Sequence, residues 1–149
     1  MIDEPDVKPG DSQVQRDAER MMVAWLEIEL ECELKPRRIV LPDKSWLELD
    51  AYCRTPLIVC EAWAHQGPPK SAQKMKVMND AMKLVAARRV VGEEARAILL
   101  FADEAAAARF SRRTWHATAL QEARIEVMIA ELSGEVRDGI RAAQIRQFR

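Results

Sequence analysis

The sequence predicts an α/β fold with a mixed central sheet flanked by helices, in the element order αβββαβαβα. Two observations lead to this prediction. Short β-branched or alternating segments mark the strands, and long segments with helical periodicity follow them, a pattern typical of a sheet covered by helices on both faces. The chain has 149 residues and is 48% hydrophobic, so it can bury one core without a disulfide or a structural metal. We therefore expect a single domain over residues 11–149.

The first predicted element is a helix. Residues 1–10 are acidic and contain two prolines, so we expect them to form a disordered tail. Asp11 or Ser12 can cap a helix that runs to about Leu34, because apolar residues recur there with helical spacing. The apolar residues of this helix are Met21, Met22, Trp25, Ile28 and Leu30.

Three strands are predicted next, over residues 37–42, 45–52 and 57–64. The second strand alternates apolar and polar residues, which places Asp50 on one face together with Trp46 and Tyr52. The third strand is apolar apart from Glu61, as expected for a central strand covered on both faces.

The remaining elements alternate between helix and strand. Ser71 can cap a helix over residues 72–90. One side of this helix is apolar and the opposite side is polar. That apolar side consists of Met75, Met78, Met82 and Val85. The later elements are a strand over residues 97–102, a helix over 103–121, a strand over 125–132 and a basic helix over 135–147.

The sequence argues against several classes of protein. Cys32, Cys53 and Cys60 lack the paired spacing of a zinc site and are expected to be buried thiols in a reducing compartment. A signal sequence and a run of about 20 apolar residues are both missing, so we expect a cytoplasmic protein that does not enter a membrane. The sequence also lacks the motifs of P-loop, dinucleotide-binding, zincin and esterase enzymes.

Charge is distributed unevenly along the chain. Residues 1–34 contain ten acids and three bases, a net charge of −7, whereas the whole chain carries −1. The rest of the chain therefore carries +6. Because phosphate contacts need clustered Lys and Arg, nucleic acid is an expected partner of this basic part.

One pair of carboxylates suggests chemistry. Glu61 lies in a buried strand, where an ionised side chain needs a partner. If the second and third strands form an antiparallel hairpin, Asp50 lies opposite Glu61. Two adjacent carboxylates are commonly compensated by a divalent cation, and oxygen ligands suit Mg²⁺ or Mn²⁺. The alternative is that Arg or Lys from a neighbouring helix neutralises the pair.

The layout of these segments resembles the PD-(D/E)xK superfamily, which has a restriction-endonuclease-like core, and a group of uncharacterised bacterial relatives. The resemblance covers residues 15–102. In that family a helix precedes a meander that carries Asp on its second strand and E-x-K on its third, and a helix then crosses the sheet. The resemblance implies that Asp50, Glu61 and the backbone carbonyl of Ala62 bind the metal.

The sequence departs from the family at one position. Trp63 occupies the place of the E-x-K lysine, and some members supply that lysine from the following helix. Lys76 is the predicted catalytic substitute. It lies on a helical stripe formed by Gln73, Lys76, Asp80 and Lys83. Lys70 and Gln73 lie nearer the start of the helix as accessory candidates, and an ordinary solvated face is the alternative interpretation of the stripe.

Further accessory residues are less specific. The family often places another acidic ligand on the first helix, where Glu19 and Glu27 both qualify, or both are merely exposed charges. His65 follows the third strand and could act as a base or ligand, although loop histidines usually have neither role. Trp115 and His116 belong to no motif and are assigned to structure.

The sequence thus predicts a Mg²⁺- or Mn²⁺-dependent nuclease that hydrolyses phosphodiester bonds in DNA or RNA. A homodimer or a partner protein would be one way to supply substrate selection or a second cut. The alternative is a catalytically inactive nuclease-like domain that binds nucleic acid or protein, because Trp63 replaces the lysine.

Overall fold

The computed structural model describes residues 9–147, with side chains described from Gln13 to Arg146. The elements are α1 (Pro9–Leu30), β1 (Lys35–Val40), β2 (Trp46–Cys53), β3 (Ile58–Trp63), α2 (Ser71–Val91), β4 (Arg96–Phe101), α3 (Glu104–Ala107), a 3-10 turn (Ala108–Phe110), α4 (Trp115–Glu122), β5 (Ile125–Ile129) and α5 (Gly134–Gln147). Most of the tail predicted to be disordered, residues 1–8, lies outside the described residues. Within residues 9–147, no helix combines the length and hydropathy needed to cross a bilayer.

The five strands form one mixed open sheet in the order β1-β2-β3-β4-β5. The pairs β1–β2 and β2–β3 are antiparallel, and the pairs β3–β4 and β4–β5 are parallel. The α2 helix connects β3 to β4, as expected because parallel neighbours need a crossover connection. The predicted α/β class and mixed sheet are therefore confirmed.

Apolar clusters cover both faces of the sheet. On one face, Val77 and Leu84 of α2 pack with Val59 of β3. On the other face, Met22 of α1 and Ile140 of α5 contribute to the second cluster. All six residues of β3 are buried, which confirms the prediction of a central strand.

A β-bulge interrupts β2 at Asp50. Lys35 of β1 pairs with Tyr52 and Arg37 pairs with Leu49, so β2 contains one more residue than β1 between these points. Leu49 and Tyr52 contact the same apolar cluster, although strict alternation would place them on opposite faces. The predicted placement of Tyr52 on the face of Trp46 and Asp50 is therefore wrong. The bulge moves Tyr52 to the face of Leu49.

The C-terminal end of helix α1 comes earlier than predicted. It ends at Leu30 instead of Leu34, because Glu31 adopts a left-handed φ of 51° that stops the helix. The Glu27 carboxylate then accepts a hydrogen bond from the Leu34 backbone N–H at 2.9 Å. This bond fixes the turn into β1.

The predicted helix over residues 103–121 is broken in two. Asp103 caps α3 by accepting a hydrogen bond from the Ala105 N–H at 2.9 Å. Arg113 has a left-handed φ of 57°, and Thr114 caps α4 by accepting from the Ala117 N–H at 3.0 Å. Two caps and a left-handed residue therefore replace the single helix that the alanine-rich sequence predicts.

Candidate functional site

The candidate site lies where β2 and β3 stop pairing. The antiparallel ladder runs from Cys53–Ile58 to Ala51–Cys60, and Asp50 and Glu61 are the next residues beyond it. Asp50 Oδ2 accepts a hydrogen bond from the Ala62 backbone N–H at 2.9 Å. Burial raises the pKa of Glu61, and the two carboxyl groups lie close enough for the charge of Asp50 to raise it further. The sequence-based prediction that these two residues face each other is confirmed.

A lysine from the crossover helix compensates Glu61. The Glu61 side chain is only 2% exposed, and its Oε1 forms an ion pair with the Lys83 ammonium group. The Lys83 side chain is 32% exposed, so Lys83 extends from the protein surface to the buried Glu61 carboxyl. Neutralisation by a lysine from a neighbouring helix, the alternative left open by the sequence, is therefore present in the structure.

The Asp50–Glu61 pair is strongly coupled. Burial, followed by the hydrogen bond and charge of Asp50, raises the pKa of Glu61 to about 9, although Lys83 acts in the opposite direction. Burial lowers the pKa of Lys83, but the hydrogen bond and charge of Glu61 outweigh this, so the net shift of that pKa is upward. Glu61 therefore holds its proton more tightly than an exposed glutamate does.

Two further acids lie within electrostatic range of Asp50. Burial and then the charge of Asp50 raise the pKa of Glu19 on α1 to about 7. Burial also raises the pKa of Asp80 on α2. Both acidic candidates on α1 line the cavity beside Asp50, and the charge of Asp50 acts on Glu19. The Glu27 carboxylate accepts a hydrogen bond from the Leu34 backbone N–H.

The predicted lysine, Lys76, occupies a different place from Lys83. Lys76 is exposed, and its positive charge acts on Glu19 and Asp80. Lys83 lies two helical turns further along the same stripe and reaches Glu61. The stripe was recognisable from the sequence, but its periodicity could not tell which lysine lies deepest.

The remaining accessory candidates make other contacts. The His65 ring stacks on Trp63 with centroids 4.5 Å apart, and burial followed by the charge of Lys76 lowers the pKa of His65 to about 4. Trp63 is buried in the α2-side core, against Phe101. These contacts give Trp63 a packing role.

Lys70 and Gln73 contact each other at the start of α2. The Lys70 backbone N–H donates to Gln73 Oε1 at 2.9 Å, which closes the first turn of the helix. Both residues line a cavity of about 590 Å³ with Arg141 and Gln144 of α5. The Asp50–Glu61 pair does not line this cavity.

The site opens on a second cavity of about 490 Å³. Glu19 and Asp50 line it, together with Arg16, Arg20 and Glu48. Solute from the solvent can therefore reach the exposed side of Asp50, whereas Glu61 lies behind it in the core.

The predicted metal site is tested by the arrangement of possible ligands. Among the residues that the structure describes, no group of three or more His, Cys, Asp or Glu is arranged to hold a metal ion. Mg²⁺ is commonly held by one or two carboxylates, water and a substrate phosphate. A Mg²⁺ or Mn²⁺ site at Asp50 and Glu61 therefore stays a prediction.

Comparison with protein-family models, with curated proteins and with solved structures finds no match for this chain. The resemblance to the PD-(D/E)xK superfamily therefore depends on the order of the elements and on Asp50 and Glu61. It stays a prediction.

Proposed function

We propose that the chain is a metal-dependent nuclease that hydrolyses phosphodiester bonds in DNA or RNA. The observation that carries this proposal is the contact between Asp50 and Glu61 at the open end of the β2–β3 ladder. Two coupled carboxyl groups beside a cavity, with a lysine against one of them, are typical of a site that handles a cation and an anionic substrate.

The arrangement of elements supports a restriction-endonuclease-like core. A helix precedes a three-stranded antiparallel meander, and α2 then crosses to a parallel fourth strand. Asp50 lies on the second strand and Glu61 on the third, as in the family layout. We therefore propose a restriction-endonuclease-like core together with the nuclease activity.

Each site residue has a distinct role in the proposed reaction. Asp50 and Glu61, with the carbonyl of Ala62, are the residues that would hold Mg²⁺ or Mn²⁺. A divalent cation bound there would polarise the scissile phosphate and lower the pKa of a water molecule. The Ala62 N–H fixes the orientation of Asp50 through their hydrogen bond.

We assign the role of the E-x-K lysine to Lys83 in place of Lys76. Lys83 contacts Glu61, and its raised pKa keeps the ammonium group protonated at neutral pH. It therefore orients Glu61 and contributes positive charge next to the substrate phosphate, instead of acting as a base. Glu19 lines the same cavity and adds a carboxyl group within electrostatic range of Asp50.

A second candidate function is a catalytically inactive domain that binds nucleic acid or protein. The ion pair between Lys83 and Glu61 favours it, because it compensates the buried carboxyl without any metal. Trp63, which replaces the family lysine, is part of the core and cannot move to the site without loss of packing.

The deciding experiment combines metal titration with a cleavage assay. Wild-type protein is titrated with Mg²⁺ and Mn²⁺ by calorimetry and incubated with plasmid, single-stranded DNA and RNA. The same assays are run on Asp50→Asn, Glu61→Gln and Lys83→Ala. Glu131→Gln is the matched control, because Glu131 is an exposed carboxylate that does not line the cavity beside Asp50.

We expect metal binding and cleavage to disappear in Asp50→Asn and Glu61→Gln. Lys83→Ala should lose roughly 100-fold in rate, the order observed when one charge-stabilising group is removed. Glu131→Gln should behave as wild type. A wild-type protein that binds neither cation and cuts no substrate would overturn the nuclease and favour the binding domain.

A further inference from the structure

A basic and aromatic surface lies where the first half of α2 meets the start of α4. It surrounds a cavity of about 260 Å³. The cavity is lined by Ser71, Lys74, Met75, Met78, Trp115 and His116. We call this region the Trp115 surface, and it shares no lining residue with the cavity beside Asp50.

Trp115 is exposed but held in place. Its side chain is 68% exposed, an unusual position for a large aromatic ring. Its ring stacks on His116 with centroids 3.8 Å apart and an interplanar angle of 24°. His116 in turn meets the buried ring of Phe110 edge-on at 5.8 Å. The core therefore supports an outward-facing ring, which lowers the conformational entropy that a ligand must offset on stacking.

The two segments that carry the Trp115 surface are rich in basic residues. Residues 70–79 contain three lysines and no acid, and residues 105–121 contain three arginines and no acid. Arg109, Arg112 and Arg113 are all exposed. In the part of the chain that the structure describes, Lys74, Arg112 and Arg113 form no ion pair. Clustered cations without acidic partners are complementary to a phosphate backbone.

We propose that the Trp115 surface binds single-stranded nucleic acid, with a base stacked on Trp115 and phosphates held by the surrounding Lys and Arg side chains. Stacking requires a base that is not paired within a duplex, and proteins that bind single strands combine aromatic rings with a basic groove. Met75, which is 74% exposed, extends the apolar side of the platform. An acidic protein would find the same charge but would gain less from the flat exposed ring.

The Trp115 surface and the candidate site lie on different sides of α2. Lys74 and Met78 line the cavity beside Trp115, whereas Lys83 contacts Glu61. Lys83 follows Lys74 by nine residues, which rotates it by about 180° around the helix axis. Binding at the Trp115 surface therefore does not rest on the proposed nuclease function.

Binding is tested without metal, so that cleavage cannot interfere. A fluorescently labelled 15-nucleotide oligothymidylate and a duplex of the same length are titrated with protein in EDTA, and anisotropy is measured at several salt concentrations. The variants are Trp115→Ala, Trp115→Phe and the double change Arg112→Ala with Arg113→Ala. Trp46→Ala is the matched control, because Trp46 is 56% exposed and also lies against an arginine, Arg38.

We expect Trp115→Ala to weaken single-strand binding by roughly tenfold, the order found when one stacking ring is removed. Trp115→Phe should recover most of the affinity, and Trp46→Ala should bind as wild type. The double arginine variant should bind more weakly and show a smaller dependence on salt concentration. Equal thermal unfolding of the variants establishes that folding is intact.

Two results would overturn the inference. One is equal single-strand affinity for wild type and Trp115→Ala, including the case in which neither binds. The other is binding of the duplex in preference to the oligothymidylate. The proposed nuclease fails separately: a protein that binds the single strand through Trp115 but cuts nothing with Mg²⁺ or Mn²⁺ contradicts only the activity.

Discussion

Lys83 of α2 forms an ion pair with Glu61 of β3, a carboxyl that is 2% exposed in the centre of the sheet. The contact joins the crossover helix to the strand that carries the candidate site. A buried polar group that loses its partner destabilises the folded state, so this contact affects stability as well as chemistry. It also gives the clearest means of separating Lys83 from Lys76.

Lys83→Met should destabilise the metal-free protein by about 1–3 kcal/mol, because it leaves the buried Glu61 carboxyl without its cationic partner. Lys76→Met is the control, since Lys76 is an exposed lysine on the same helix and its replacement should change stability by less than about 0.5 kcal/mol. Urea unfolding of both variants measures the difference. Equal stability of the two variants would contradict the importance of the Lys83–Glu61 contact.

The stability of the metal-free protein should decrease as pH rises from about 5 to 9. Glu61 has an ordinary pKa of 4.5 and a folded-state pKa of about 9, so the folded state binds this proton more tightly than the unfolded state. The stabilisation is complete below the unfolded value and is lost as pH rises through the folded value. Glu19, with a folded pKa of about 7, contributes in the same direction.

Thermal unfolding in EDTA, compared between wild type and Glu61→Gln at each pH, isolates this effect. Glutamine cannot ionise, so the stability of the variant relative to wild type should increase towards pH 9. A difference that stays constant across the range would mean that Glu61 does not hold its proton in the folded protein.

The sequence predicts the strands well because each has a distinct pattern. Alternation defines β2, and an unbroken apolar run defines β3, so the hairpin and the facing of Asp50 and Glu61 follow from local information. The β-bulge in β2 does not follow, because it depends on how β1 pairs with β2 around Asp50. The alternation of apolar and polar residues within one strand does not determine how that strand pairs with its neighbour.

The buried face of each helix is harder to predict. In α2 the methionine side predicted to be apolar is largely outside the core, with Met75 74% exposed and Met82 65% exposed. Val77, Ala81 and Leu84 are buried instead. Small and branched residues allow α2 to approach the sheet closely. This close approach also brings Lys83 within reach of Glu61.

The exposure of Trp115 could not be predicted from the sequence either. Trp115 and His116 lie in an alanine-rich segment that predicts one amphipathic helix. The break before Thr114 starts a new helix at Trp115 and leaves its ring exposed. The turn depends on the left-handed conformation of Arg113, which arginine adopts only when the surrounding structure imposes it.

The His65 imidazole should remain neutral throughout the physiological range. Burial and the charge of Lys76 lower its pKa to about 4, so its stabilising contribution is present above pH 6.5 and is lost as pH falls towards 4. An NMR titration of the ring protons measures this pKa directly. In Lys76→Met the pKa should shift upward, and a His65 pKa near 6.5 in wild type would show that burial does not disfavour the charged ring.

Mg²⁺ binding should release protons, and its affinity should increase with pH. The raised pKa of Glu61 means that a cation held by this carboxylate must compete with a proton. Calorimetric titrations at pH 7 in two buffers with different ionisation enthalpies give the number of protons released, which we expect to be between zero and one. The affinity should increase between pH 7 and 9 in wild type, and Glu131→Gln, which changes an exposed carboxylate outside the site, should behave identically. Metal binding with no proton release and no dependence on pH would place the cation away from Glu61.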